Sequence, residues 1–222
     1  GLLAYGTSLL AGQITPDTSS MNTPRAMNVV EKIVAATAFK GLEETDGVTS
    51  VAPGMQVLCQ AGFRGMHEYT AGMVLNLYEK EWGQVSVERP ELAASFEDHF
   101  VLIDHEAVPD TVKAARLGPA KRLTAEMVEV CKHYGIKIHG PGRDLPAGVC
   151  HRIVVEDYAL PGSIVILTDS HTPTAGVLNT FAFGVGSTAM AFALRTGMIP
   201  VTVPKVVRVL VEGHAEGRVT PK

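Results

Sequence analysis

The segment from Ile164 to Gly186, IVILTDSHTPTAGVLNTFAFGVG, constrains this chain more than any other. Ile164-Val165-Ile166-Leu167 is an apolar, β-branched run of the kind found in strands buried on both faces. It ends in five consecutive polar side chains, Thr168-Asp169-Ser170-His171-Thr172. Ligands of open α/β sheets bind just past the carboxyl ends of strands. An acid, a hydroxyl and an imidazole at that place can orient a polar substrate and move protons. Gly184-Val185-Gly186-Ser187-Thr188 then opens a predicted helix and offers backbone N–H groups to an anion. Each piece also has a plainer meaning. The polar run suits a capped turn, because Asp, Ser and Thr all bond nearby backbone, and a lone Gly-x-Gly is usually a tight turn. The order of strand, polar cluster, small residues and Gly-bounded helix favours a site.

The rest of the chain alternates helix and strand patterns. Apolar Val29, Val30, Ile33 and Val34 share one face of a predicted helix from Met27 to Ala38. Strands are expected at Met55 to Cys59, Phe100 to Ile103, Ile136 to His139 and Val206 to Glu212. Helices are expected at Met73 to Tyr78, at Thr124 to Tyr134 with Thr124 as N-cap and Gly135 as stop, and at Ser187 to Arg195 closed by Gly197. Gly148 to Asp157 reads as a helix or turn carrying His151. This alternation predicts an α/β fold with a parallel-rich sheet layered with helices. Residues 1–25 read as a leader or tag-like extension, apolar and Gly-rich and then rich in Thr, Ser, Pro and Asn. Residues 26–222 read as one domain.

Bulk properties exclude more than they assign. The 222 residues are 46% hydrophobic, enough for one sizeable core. A net charge of −4 gives no reason to expect nucleic acid or an anionic membrane as partner. No apolar stretch is long enough to span a bilayer. Cys59, Cys131 and Cys150 are odd in number, widely spaced and without a Cys-x-x-Cys, which fits buried thiols in a reducing compartment. A cytoplasmic protein is expected, or an organellar matrix protein in a eukaryote.

Asp169-Ser170-His171-Thr172 with Pro173-Thr174-Ala175-Gly176, then Phe183-Gly184-Val185-Gly186-Ser187, resembles the signature of the aconitase superfamily. That family comprises aconitases, homoaconitases and isopropylmalate dehydratase large subunits. The resemblance begins near Asn28-Val29-Val30-Glu31-Lys32-Ile33 and runs through Val51-Ala52-Pro53-Gly54, Ile103-Asp104-His105 and Ala147-Gly148-Val149-Cys150-His151. It continues through Pro161-Gly162 and Val203-Pro204 to Gly217-Arg218-Val219-Thr220. The order follows the first domain of that family and implies an aconitase-like N-terminal domain.

The resemblance also implies roles. From the residues alone, Asp104-His105 is as readily a surface turn as a site. The resemblance makes His105, supported by Asp104, the group that protonates a departing hydroxyl. It makes His151 a second hydrogen-bonding histidine, and it places Asp169 and His171 at the substrate hydroxyl and bound water. Ser170 would meet a substrate carboxylate, with Arg152 and Met73 further substrate-binding candidates. Arg152 stands where the family commonly has glutamine. Met73 falls about where a substrate-contacting glutamine is common, and a thioether cannot replace that amide's donors. His67-Glu68 resembles the His-Asp of the dehydratase branch, with Glu for Asp, and His67 is equally well a structural histidine. His99, His133, His139 and His214 read as surface residues.

Family members carry a [4Fe–4S] cluster held by three cysteines in later domains, and thiolate ligation is what such a cluster requires. The three cysteines here do not match those positions, so metal ligands are not expected within this chain. The implied activity is dehydration and rehydration of a 2-hydroxy di- or tricarboxylate by a hydro-lyase. This chain would be one part of that enzyme, inactive alone, and completed by C-terminal domains or a partner subunit. Two other functions remain open. One is a non-catalytic relative binding a carboxylate ligand through Ser170 and Arg152. The other, ranked lower, is a mononuclear metal hydrolase built on Asp104, His105, Asp169 and His171.

Overall fold

The computed structural model describes residues 24–39, 47–213 and 217. Its centre is a five-stranded, fully parallel sheet of β2 (Phe63–His67), β3 (Ala93–Phe96), β4 (Lys137–His139), β5 (Ile164–Leu167) and β6 (Phe181–Gly184). The spatial order is β4-β3-β2-β5-β6. The chain therefore winds outward in one direction from β2 and then returns to start again at β5. The two strands at this reversal are neighbours, with Phe63 to Gly65 opposite Val165 to Leu167. Such a switch point opens a crevice past the carboxyl ends of the two strands. A separate antiparallel pair joins β1 (Gln56–Gln60) to β7 (Met198–Thr202).

Alternation along β5 builds a core on each face of the sheet. Ile164 and Ile166 point to the larger cluster, with α1 (Val29–Thr37), α2 (Ala71–Trp82), the end of α3 (Asp110–His133) and α5 (Ser187–Thr196). Val165 and Leu167 point to a smaller cluster with Phe63, Phe96, Cys150 and Val154. The latter two belong to the short helix α4 (Cys150–Ile153) and the single π-helical turn that follows it. Strands covered on both faces read as unbroken apolar runs, which is why Ile164–Leu167 was legible. At the amino end, Asn28 and Glu31 form a reciprocal capping box on α1. Arg25 donates to Glu31 and to the Val51 carbonyl.

Several expected elements differ. Phe100 to Ile103 is a turn rather than a strand; the strand lies earlier, at Ala93–Phe96, where Ala-Ala-Ser-Phe lacks a strong apolar run. β2, Phe-Arg-Gly-Met-His, has no strand pattern because it buries an arginine. Arg64 donates to the carbonyls of Glu88, Arg89 and Ala193, which satisfies a cation buried within the strand. Thr124 lies inside α3 and does not cap it, because the helix runs on from Asp110 through Pro119. Val206 to Glu212 forms no strand and is exposed; the last described strand is β7. Most of the 1–25 extension, together with His214 and Val219-Thr220, lies outside the described residues. No helix among the described residues is long and apolar enough to cross a membrane.

Candidate active site

Three strands deliver polar side chains to the carboxyl edge of the sheet at the switch point. β2 ends in His67 and continues to Glu68. β3 continues to Glu97-Asp98-His99. β5 continues to Thr168-Asp169-Ser170-His171.

His67 is locked between β2 and β5. Its Nδ1 accepts from the backbone N–H of Tyr69 at 3.3 Å, which leaves the proton on Nε2 to be donated to the Thr168 carbonyl at 3.1 Å. Burial, with His99 beside it, holds its pKa below the usual histidine value. A neutral imidazole is what these two bonds require. The His67 ring stacks on His99 with centroids 3.9 Å apart.

His99 is partly exposed, and its Nδ1 lies 2.6 Å from Asp98 Oδ1. The second oxygen of Asp98 accepts the Cys150 backbone N–H at 2.7 Å. Asp98 thus ties the turn after β3 to the first residue of α4. Glu68 secures the same turn from below. Fully buried, it accepts the backbone N–H of Phe100 at 2.7 Å and of Asp98 at 3.2 Å. Burial pushes its carboxyl above the usual range, against the pull of those two amides.

A second acid is shared by two histidines. Buried Asp169 accepts the backbone N–H of His171 at 2.6 Å. Its Oδ2 also lies 3.7 Å from His171 Nδ1 and 3.8 Å from His151 Nδ1. The two histidine rings stack with centroids 5.1 Å apart. Exposed Ser170 places Oγ 3.4 Å from His171 Nδ1. Gly184 at the end of β6 has a steric reason to be glycine: a Cβ there would meet the Asp169 carbonyl oxygen at 2.7 Å. Gly186 caps α5, whose first residue Ser187 touches Met73 Sδ at 3.3 Å, so the first turns of α5 and α2 adjoin.

The structure therefore brings together His151, Asp169, Ser170 and His171. It does not join Asp104 and His105 to them. Both are exposed on the turn after His99; Asp104 pairs with Lys121 at 3.6 Å, and His105 accepts the backbone N–H of Ala107. The acid–imidazole doublet that directly follows a strand is Asp98-His99. Asp-His occurs twice within eight residues, and both the strand expected at Phe100 to Ile103 and the resemblance at Ile103-Asp104-His105 point to the second copy. Arg152 points outward and pairs with Glu156 at 3.0 Å. His139, read as a surface residue, is buried; Nδ1 meets the Pro146 carbonyl and Nε2 the Tyr158 hydroxyl.

The cysteines do not form a ligand set for an iron–sulfur cluster. Cys59 lies in β1, Cys131 near the end of α3 and Cys150 at the start of α4, all buried and free. Burial pushes the thiols of Cys59 and Cys131 up to about 12 and that of Cys150 higher still. Cluster ligation needs thiolates that converge on one place.

Residues 48–222 match the profile of the Aconitase family (aconitate hydratase). The chain is 39% identical over 145 residues to a protein of Methanopyrus kandleri named 3-isopropylmalate dehydratase large subunit 2, covering 64% of this chain and 32% of that protein. It is 41% identical over 116 residues to the methanogen homoaconitase large subunit of Methanocaldococcus jannaschii, covering 52% and 26% respectively. It is 33% identical over 166 residues to a 3-isopropylmalate dehydratase large subunit of Pyrobaculum aerophilum, covering 73% and 35%. The chain thus spans between a quarter and about a third of these relatives' lengths.

Proposed function

This chain belongs to the aconitase family, and from that premise we propose that it is the proton-handling part of a hydro-lyase large subunit. The substrate would be a 2-hydroxy di- or tricarboxylate. The observation that carries this reading is the convergence of two acid–imidazole groups, Asp98 with His99 and Asp169 with His151 and His171, on the switch-point crevice. Removing a hydroxyl from a carbon chain requires a proton for the departing oxygen. His99 suits that role: Asp98 holds Nδ1, which leaves Nε2 to exchange a proton with the departing oxygen. We assign to Asp98 and His99 the role that the sequence suggested for Asp104 and His105.

Neutral His67, stacked on His99, keeps a second positive charge away from it and holds its ring in plane. Asp169 accepts from the substrate hydroxyl, with His151 and His171 oriented around it. Ser170, exposed beside His171, offers a hydroxyl to a substrate carboxylate. The family's iron–sulfur cluster would supply Lewis acidity in the complete enzyme. Its ligands are not found among the described residues.

The test is made on the full-length protein with its small-subunit partner, using 3-isopropylmalate and homoaconitate among a panel of related acids. The reading expects turnover of one or more of these and none from the 222-residue chain alone. His99→Ala should lower kcat by about 10²–10⁴-fold, the usual worth of a general acid. His105→Ala should stay near the parent value. A crippled His105→Ala beside an unaffected His99→Ala would overturn the assignment.

A further inference from the structure

Cys150, His151 and Asp169 each offer one potential donor atom, and these atoms lie within 4.8 Å of one another. His151 Nδ1 is buried and has no hydrogen-bond partner; Asp169 Oδ2, at 3.8 Å, is too far to serve. Buried polar atoms of folded proteins are nearly always paired, so this nitrogen needs an explanation. Cys150 is buried beside the carboxylates of Asp98 and Asp169. A bound cation would stabilise thiolate and carboxylate together.

We propose that Cys150, His151 and Asp169 form a three-ligand site for a thiophilic divalent cation of the zinc type. The donor set is one sulfur, one nitrogen and one oxygen. Tetrahedral zinc at ordinary bond lengths places its ligand atoms about 3.3–3.6 Å apart. The observed spacing, within 4.8 Å, reaches that when the pairs close by up to about 1.5 Å. The nearby group His67, Glu68 and His99 also lies within ligand distance but is unsuited. Both ring nitrogens of His67 are engaged, so it has no free donor atom to offer. One thiolate does not suffice for an iron–sulfur cluster, so this site is separate chemistry. Because it takes Asp169 and His151 for itself, occupancy would block their use on a hydroxy acid. The site rests on geometry and stands or falls independently of the proposed reaction.

The probes are Zn²⁺ and Co²⁺ added to the metal-free 222-residue chain. One equivalent should bind and release one proton from Cys150, so affinity rises with pH. Co²⁺ should show a thiolate charge-transfer band. Cys150→Ser should remove the band and weaken Zn²⁺ binding by more than about tenfold, while Cys59→Ser and Cys131→Ser retain both. X-ray absorption of zinc in the unsubstituted chain needs no variant to fold and should show one sulfur among nitrogen and oxygen ligands. No sulfur in the zinc shell, or a band that survives Cys150→Ser, would overturn the site. So would a band lost only in Cys131→Ser.

Discussion

Gly184→Ala separates a steric requirement from a motif. Gly184 pairs with Leu167 across β5 and β6, and an added Cβ would stand 2.7 Å from the Asp169 carbonyl oxygen. Ordinary carbon–oxygen contact needs roughly 3.4 Å, so about 0.7 Å must be found by moving backbone. Overpacking of this kind costs about 1–3 kcal/mol. For a chain of this length that lowers Tm by roughly 2–12 °C. The displaced group is Asp169 itself, so the ring resonances of His151 and His171 should shift in NMR spectra. Gly186 provides the control: nothing lies within 4 Å of its Cβ position and its φ is −76°. Gly186→Ala should cost no more than about 1 kcal/mol, the loss of a tolerated N-cap residue. Equal Tm values for the two variants, with unchanged histidine resonances in Gly184→Ala, would refute the close-approach argument.

Further outcomes follow from the buried polar groups. Glu68→Gln replaces one of two acceptors with a donor that faces a backbone N–H, and stability in urea should fall by about 1–3 kcal/mol, less whatever is regained by removing a buried charge; an unchanged midpoint would deny the clamp. His67 and His139 both titrate below the ordinary histidine value of 6.5, chiefly because they are buried. The unfolded chain therefore binds protons first, so stability is full above about pH 6.5 and declines as pH falls toward the folded-state values. Glu68 works oppositely, since its raised pKa favours the folded state as pH falls. His139→Gln should flatten the decline in urea midpoint between pH 7 and pH 5, and an identical slope would show that His139 does not drive it. Anaerobic reconstitution of the 222-residue chain with iron and sulfide should leave no stoichiometric cluster by iron counting; a stoichiometric cluster would require the buried cysteines to rearrange.

Local pattern sufficed where burial was uniform or punctuation strong. Ile164–Leu167 is covered on both faces and consists of four apolar residues, so its strand and the polar cluster after it were readable in order. The helix Ser187–Thr196 ends at Gly197, whose φ of +71° is one that glycine adopts without penalty. Both features rest on interactions within a few residues. The family was legible for the same reason, since its motif spans contiguous residues of one strand, turn and helix.

Sheet order was decided by tertiary structure alone. Nothing local announces that Phe63–His67 lies between Ala93–Phe96 and Ile164–Leu167, because its buried arginine is satisfied by carbonyls as distant as Ala193. That order brings His67 onto His99 and makes Asp98-His99, rather than Asp104-His105, the pair at the sheet edge. It also buries His139, whose partners Pro146 and Tyr158 belong to the segment leading into and out of α4. A sequence states which side chains are present and what their immediate neighbours allow. Whether an imidazole is a solvated surface group, a neutral strut or a proton carrier depends on residues up to a hundred positions away, which only the packed sheet brings within hydrogen-bonding distance.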